Sequence, residues 1–118
     1  MIVDENIELQ DLLSTLDNKN IRMIFLVNKN KQLTGCISQG DIIRLLIDGS
    51  SLKILAIDVA NLNPIKIFYE KNKDYIAEAK KIITKKKVHA VPIVDKDNKI
   101  KSIISMWDIL SKIDATDQ

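Results

Sequence analysis

Apolar positions along the chain form a pattern that occurs twice. Leu9, Leu12, Leu13 and Leu16 recur at helical spacing between Glu8, Gln10, Asp11 and Ser14, which predicts an amphipathic helix over residues 7–18. Met23 to Val27 is an unbroken apolar run, the pattern of a strand buried on both faces. Asn28 to Gln32 is a polar turn and Leu33 to Ser38 a second strand, so the two strands make a hairpin. A short helix over Asp41 to Ile47 follows, stopped by Gly49. The second half repeats the order. Ile76, Ala79, Ile82 and Ile83 mark a helix, Val88 to Val94 a strand, Asp95 to Lys99 a turn, Ile100 to Ser105 a strand, and a helix runs on to about Ile113.

A shift of 67 residues superposes the halves without a gap from Ile7 on Asp74 to Ile47 on Asp114. Identity concentrates in Gly35 to Ile42 over Ser102 to Ile109, where Ser38 falls on Ser105 and Asp41 on Asp108. A repeat fixes the architecture before any residue is interpreted. Here it gives an α+β fold of two β-α-β-β-α repeats. The expected boundaries are a first repeat over 1–50, a connector over 51–62, a second repeat over 63–114 and a tail over 115–118. The connector reads as a helical turn or two between Leu52 and Asn63. Pro64 to Phe68 then alternates apolar and charged residues, as a short half-buried strand does. The same shift carries Phe68 onto Met1, so the first repeat is expected to lack most of its leading strand unless Ile2 and Val3 supply it, and the chain reads as a trimmed part of something longer. Pro92, within an apolar strand, predicts an edge strand or one whose amide faces a cavity.

With 118 residues the chain has room for one compact core without staples. Its net charge of +2 makes no electrostatic case for nucleic acid. The one cysteine, Cys36, lies in an apolar strand and reads as a buried core thiol, in keeping with a reducing compartment. The acidic start, Met1-Ile2-Val3-Asp4-Glu5, is unlike a signal peptide, and no apolar run is long enough to cross a bilayer. A cytoplasmic protein is expected.

The chemistry lies in the duplicated Ser-x-x-Asp, which has two readings. A serine at a helix N-cap with an acid three residues on resembles a capping box, worth about 1 kcal/mol and needing no ligand. The same helix start offers unpaired amides and a positive dipole end for a phosphate, with the serine hydroxyl as a further donor. An ionised aspartate one turn on accepts two hydroxyl hydrogens from a ribose diol. Together they describe a mononucleotide site.

At these residues the chain resembles the paired cystathionine-β-synthase (CBS) domains, whose signature after the third strand is Gly-x-h-Ser/Thr-x-x-Asp-h, with h apolar. Gly35 to Ile42 matches in full, and Ser102 to Ile109 matches except for Ser102 in place of glycine. Val91 to Asp95 and Asn63-Pro64-Ile65 are similar to the family's Pro-containing strand and to the lead-in to its first strand. The resemblance implies a pseudo-twofold module with two clefts between its repeats, binding adenine nucleotides (AMP, ADP or ATP) or sometimes S-adenosylmethionine. The first cleft would use Ser38 for phosphate and Asp41 for ribose, lined by Arg22 and Met23. The second would use Ser105 and Asp108, with Asn63, Pro64, Ile65, His89, Ala90 and Val91 walling the base. Trp107, where the first repeat has Gly40, would stack on the base or plug the pocket. The segment Ser38 to Arg44 looks most like pairs attached to sugar nucleotidyltransferases and sugar-phosphate isomerases.

His89 has no second ligand cluster nearby, so no metal site is expected. Lys80, Lys81, Lys85, Lys86 and Lys87 suit the end of a helix and read as a solvated face. Neither a nucleophile with its base nor a Walker-type loop is present, so no enzyme activity is expected of the chain itself. The leading expectation is a regulatory module that binds an adenine nucleotide, forms a homodimer and modulates an attached or partner domain, with no required cofactor and neither nucleic acid nor membrane as partner. The alternative is a structural dimerisation module whose Ser-x-x-Asp pairs only cap helices. RNA binding through the lysine cluster is a third, weakened by the scarcity of aromatic residues.

Overall fold

A computed structural model describes residues 1–16 and 21–116. The elements are β1 (Ile2–Asp4), α1 (Leu9–Thr15), β2 (Met23–Val27), β3 (Leu33–Ser38), α2 (Gln39–Ile47), α3 (Ala56–Val59), β4 (Ile67–Phe68), α4 (Tyr75–Lys86), β5 (Ala90–Val94), β6 (Ile100–Ser105) and α5 (Met106–Thr116). They divide into two units, Met1–Pro64 and Ile65–Gln118. The last two positions of the helix expected over 7–18, Asp17 and Asn18, lie outside the described residues.

Each unit holds a three-stranded sheet, ordered β1-β2-β3 in one and β4-β5-β6 in the other. In both, the first pair of strands is parallel and the second antiparallel. Both hairpins carry a bulge at the same place, between Leu26 and Val27 and between Ile93 and Val94. Their turns are also copies. Asn28 Oδ1 accepts from the amides of Asn30 and Gln32, and Asp95 Oδ1 from those of Asp97 and Lys99. Lys31 and Asn98 then take the left-handed conformation at φ 65°. The architecture is thus the expected α+β arrangement of two β-α-β-β-α copies.

The two cores follow from strand alternation and helix spacing. Leu12, Ile24, Leu26, Ile37 and Ile42 are buried together in the first unit. Their equivalents 67 residues on, Ala79, Val91, Ile93, Ile104 and Ile109, form the second cluster. Leu9 and Ala56 complete the first core, and Ile67 the second. The intervening residues of β2 and β5 point to the other face of each sheet, and there Phe25, Val27, Pro92 and Val94 are buried too.

The leading strand of the first repeat is present, supplied by Ile2 and Val3 together with Asp4, which is the alternative to its loss. Ile2–Asp4 pairs with β2, placing Asp4 opposite Val27, just as Phe68 lies opposite Val94. The strands are therefore related by 64 residues and the rest by 67: the second repeat has three more residues between its first strand and first helix. Those extra residues belong to the loop between β4 and α4, across which Tyr69 stacks on Tyr75, the first residue of α4, with the rings 6.1 Å apart.

Of the two expectations for Pro92 the edge strand is not met, since β5 is the central strand, but its missing amide does fall where no ladder partner lies. Its equivalent, Phe25, donates its amide to the Met1 carbonyl at 2.8 Å, on the β1 side. Pro92 has no amide to give at that point, and β4 is only two residues long, pairing from Ile67 onward. The proline thus removes a bond that only a longer β4 would accept.

The connector forms a single helical turn, α3, and packs on the first unit. Glu8, at the start of α1, makes no side-chain cap. Instead the Leu9 and Gln10 amides donate to the carbonyls of Ile54 and Leu52, both at 2.9 Å. Further on, Asn61 exchanges two hydrogen bonds with Cys36 on the outer edge of β3, at 3.0 and 2.9 Å. α4 caps itself, the Asp74 carboxylate accepting from the Ala77 amide at 3.1 Å.

Cys36 is buried, as expected, and burial followed by the nearby Asp41 charge pushes its thiol up to about 11. The thiol stays neutral where an unfolded chain would ionise, so stability holds up to about pH 9 and falls between pH 9 and 11. A urea midpoint that declines over that interval in the wild type, but less in Cys36→Ala, is the expected result.

Candidate functional site

The duplicated Ser-x-x-Asp occupies the start of the last helix in each unit. In the first, Ser38 caps α2 from extended backbone, and its Oγ accepts from the Asp41 amide at 3.1 Å. Asp41 Oδ2 in turn accepts from the Ser38 amide at 3.0 Å, completing a capping box. The shorter reach of aspartate does not prevent the reciprocal bond. Asp41 Oδ1 takes an ion pair from Arg44, one turn along the same helix. Arg22, which precedes β2, accepts the Gln39 amide on its carbonyl at 3.0 Å and donates from Nη1 to Gln39 Oε1 at 3.3 Å. Met23 pairs with Ser38 across the hairpin. Arg22, Met23, Ser38 and Asp41 are therefore gathered at one end of the first sheet.

Burial pushes the Asp41 carboxyl up, but the bonds from Ser38 and the Arg44 charge outweigh it and hold the group below its ordinary value. Asp41 is thus ionised at neutral pH, and the box loses its charge only as pH falls through that lowered value. The Arg44–Asp41 pair is exposed, with 68% and 41% of the side chains accessible, so it adds at most about 1 kcal/mol.

The second unit repeats the core of this arrangement. Asp108 Oδ2 accepts from the Ser105 amide at 2.7 Å and from its Oγ at 3.1 Å, and the Asp108 amide donates to Ser105 Oγ at 3.2 Å. The His89 carbonyl accepts the Met106 amide at 2.8 Å, as Arg22 does for Gln39. Ala90 and Val91 lie opposite Ser105 and Ile104. The Val91 side chain, however, is fully buried in the second core, so only its backbone is free to line a site. Asn63, whose amide donates to Asn61 Oδ1 at 3.0 Å, and Pro64 close the first unit, while Ile65 opens the second. Trp107 is 45% exposed in the first turn of α5.

Two participants go unnoticed in the sequence pattern alone, Arg44 and Gln39. Arg44 has a visible signal: it lies three residues beyond Asp41 on a helix, the spacing of an ion pair. Gln39 has none, because its link to Arg22 spans the hairpin. A groove along α4, lined by Ala77, Lys80, Lys81, Thr84 and Lys85, contains none of the candidate residues and belongs to the lysine face. Among the described residues no three His, Cys, Asp or Glu side chains are grouped to hold a metal, and no helix is long and apolar enough to cross a membrane.

Comparison with known proteins bears on the family and the fold. A CBS domain family model matches residues 1–48 and 58–115. An uncharacterized protein of Helicobacter pylori is 32% identical over 102 residues, covering 86% of this chain and 30% of its own length. Inosine-5'-monophosphate dehydrogenase of Nitrosopumilus maritimus is 26% identical over 106 residues, which are 90% of this chain and 21% of that protein. The chain thus spans under a third of the length of either. Among solved structures, a CBS domain protein from Pyrobaculum aerophilum complexed with AMP superposes with a TM-score of 0.78 at 19% identity, over 98% of this chain and 91% of that one. CBSX2 in complex with AMP gives 0.82 at 20% identity, over 100% and 90%. The match covers both repeats and nearly the whole chain, and with it the chain belongs to the CBS domain family.

Proposed function

We propose that the chain is a regulatory module that binds an adenine nucleotide (AMP, ADP or ATP) and passes its occupancy to an attached or partner domain. The observation that carries this reading is the duplicated serine and aspartate, each pair set at a helix start beside the strand end that leads with Arg22 or His89. A single capping box needs no ligand, but two at equivalent positions in a family with AMP-bound members favour a binding role. Ser38 and Ser105 would meet phosphate, and Asp41 and Asp108 the ribose diol. Asn63, Pro64, Ile65, His89, Ala90 and the Val91 backbone would wall the base of the second site. The greater length of the curated relatives supports an attached domain, and the free buried thiol supports work in the cytoplasm. Coupling requires that the nucleotide favour one of two states of the whole protein.

Thermal unfolding with millimolar AMP, ADP, ATP or S-adenosylmethionine tests this. At a hundredfold excess over Kd a ligand adds about 2.7 kcal/mol, which moves the midpoint by several degrees. The shift should vanish in Asp41→Ala or Asp108→Ala, whichever site is filled. A folded wild type that responds to none of the four ligands would overturn the reading.

The exposed faces of α2 and α5 favour a second role, self-association. Ile43 and Ile47 are 49% and 77% exposed, and Leu110, the equivalent of Ile43, is 43% exposed beside Trp107. Apolar side chains repeated on the same face of both last helices fit a homodimer interface. Sedimentation at increasing concentration should show a dimer, and Ile43→Glu with Ile47→Glu should leave a monomer. A wild type that is monomeric at every concentration would remove this role.

A further inference from the structure

The two half-sites are copies that differ at a few positions, and the differences sort by charge. Arg22, Gln39, Gly40 and Arg44 of the first correspond to His89, Met106, Trp107 and Ser111 of the second. The first half-site therefore brings two guanidinium groups to one helix start, Arg44 on Asp41 and Arg22 on Gln39. The second brings no arginine. Gly40 makes room for this. A β-carbon there would already touch Arg44 Nη1 at 3.5 Å and Ser38 Oγ at 3.8 Å, so a larger side chain would compete for the guanidinium's place. Trp107 is such a side chain in the second copy.

Arg44 also stands in the way of the role assigned to Asp41. Each carboxylate oxygen already accepts one bond, Oδ2 from the Ser38 amide and Oδ1 from Arg44, so a ribose hydroxyl that takes Oδ1 shares it with the guanidinium. The ion pair is exposed and weak, and the guanidinium can leave it if another anion is offered. A phosphate offers one in the planar, two-pronged geometry that a guanidinium prefers. A nucleoside without phosphate offers nothing in exchange.

We infer that Arg44 is the specificity-determining residue of the first half-site: it covers Asp41 when the site is empty and moves to a ligand phosphate when the site is filled. The first half-site therefore selects phosphorylated nucleosides, and the second, with Ser111 in place of Arg44, discriminates less. This rests on the reading of Ser38 and Asp41 as a nucleotide site.

Calorimetric titration of the full chain with adenosine and with AMP tests it, using Asp108→Ala to silence the second site. AMP should bind about tenfold or more tightly than adenosine, the effect of one charge-assisted pair. Adding Arg44→Gln should lower the AMP-to-adenosine ratio by about threefold or more, with adenosine bound as well as before or better. Nucleotide binding whose AMP-to-adenosine ratio is unchanged by Arg44→Gln overturns the inference and leaves the site standing. Failure of the wild type to bind either ligand removes the site itself. Arg44 is largely exposed, so the variant should fold, and its melting curve without ligand checks that.

Discussion

Leu12→Ala is expected to lower the stability of the chain by about 3–4 kcal/mol. Leu12 is completely inaccessible on α1, at the centre of a cluster with Leu9, Ile24, Leu26, Ile37 and Ile42. Truncation removes the transfer energy of the lost carbons and leaves a cavity that two sheet strands and a helix cannot close. The second unit supplies a control. Its equivalent position is Ala79, equally inaccessible, so alanine is suited to α4 and not to α1. The reverse change, Ala79→Leu, should cost about 1–3 kcal/mol by overpacking. Urea unfolding of both variants measures this. A loss below about 1 kcal/mol for Leu12→Ala would mean that α1 is not seated on its sheet as described.

That pair of positions also shows what sequence pattern can and cannot supply. Periodicity locates Leu12 and Ala79 on the inner face of their helices, and the repeat assigns them to one another. It does not say how close each helix lies to its sheet, because that depends on every other side chain in the layer. The hairpins were legible in detail, since a polar turn between two apolar runs has few alternatives. The leading strand is legible only as the alternative that Ile2 and Val3 supply it, because a gapless shift cannot register a three-residue difference in loop length and sets Phe68 on Met1 instead of Asp4. Pro92 fits a central strand for a related reason: its missing amide matters only where a neighbour would accept it, and β4 begins past that point, at Ile67.

The candidate site divides in the same way. Ser38, Asp41, Ser105 and Asp108 could be read from local spacing because a capping box is a local structure. Val91 was assigned to a wall by its place in a motif, although strand alternation with Ile93 already directs its side chain to the core. The capping of α1 by Ile54 and Leu52 was beyond reach, since it joins segments far apart in the chain through backbone atoms alone.

Gly35→Val should cost about 3 kcal/mol, whereas Ser102→Val at the equivalent position should change stability by less than about 0.5 kcal/mol. The first repeat carries the glycine of the family signature and the second does not, and the connector explains the difference. A β-carbon on Gly35 would lie 3.1 Å from the Asn61 carbonyl oxygen and 3.2 Å from Ala60 Cβ. The carbonyl is backbone and is held by the paired bonds with Cys36, so it cannot swing aside as a side chain would. Relief requires the connector to lift off β3, which unpairs the Cys36 amide and carbonyl and strains the segment that caps α1. Ser102 is exposed on β6, and among the described residues no backbone bridges that strand's outer edge at Ile103 as Asn61 bridges Cys36. Glycine is therefore needed where another backbone crosses the strand, and is dispensable where none does. Urea midpoints for the two valine variants decide the point. Equal losses would mean that the crossing at Asn61 is not what demands glycine at position 35.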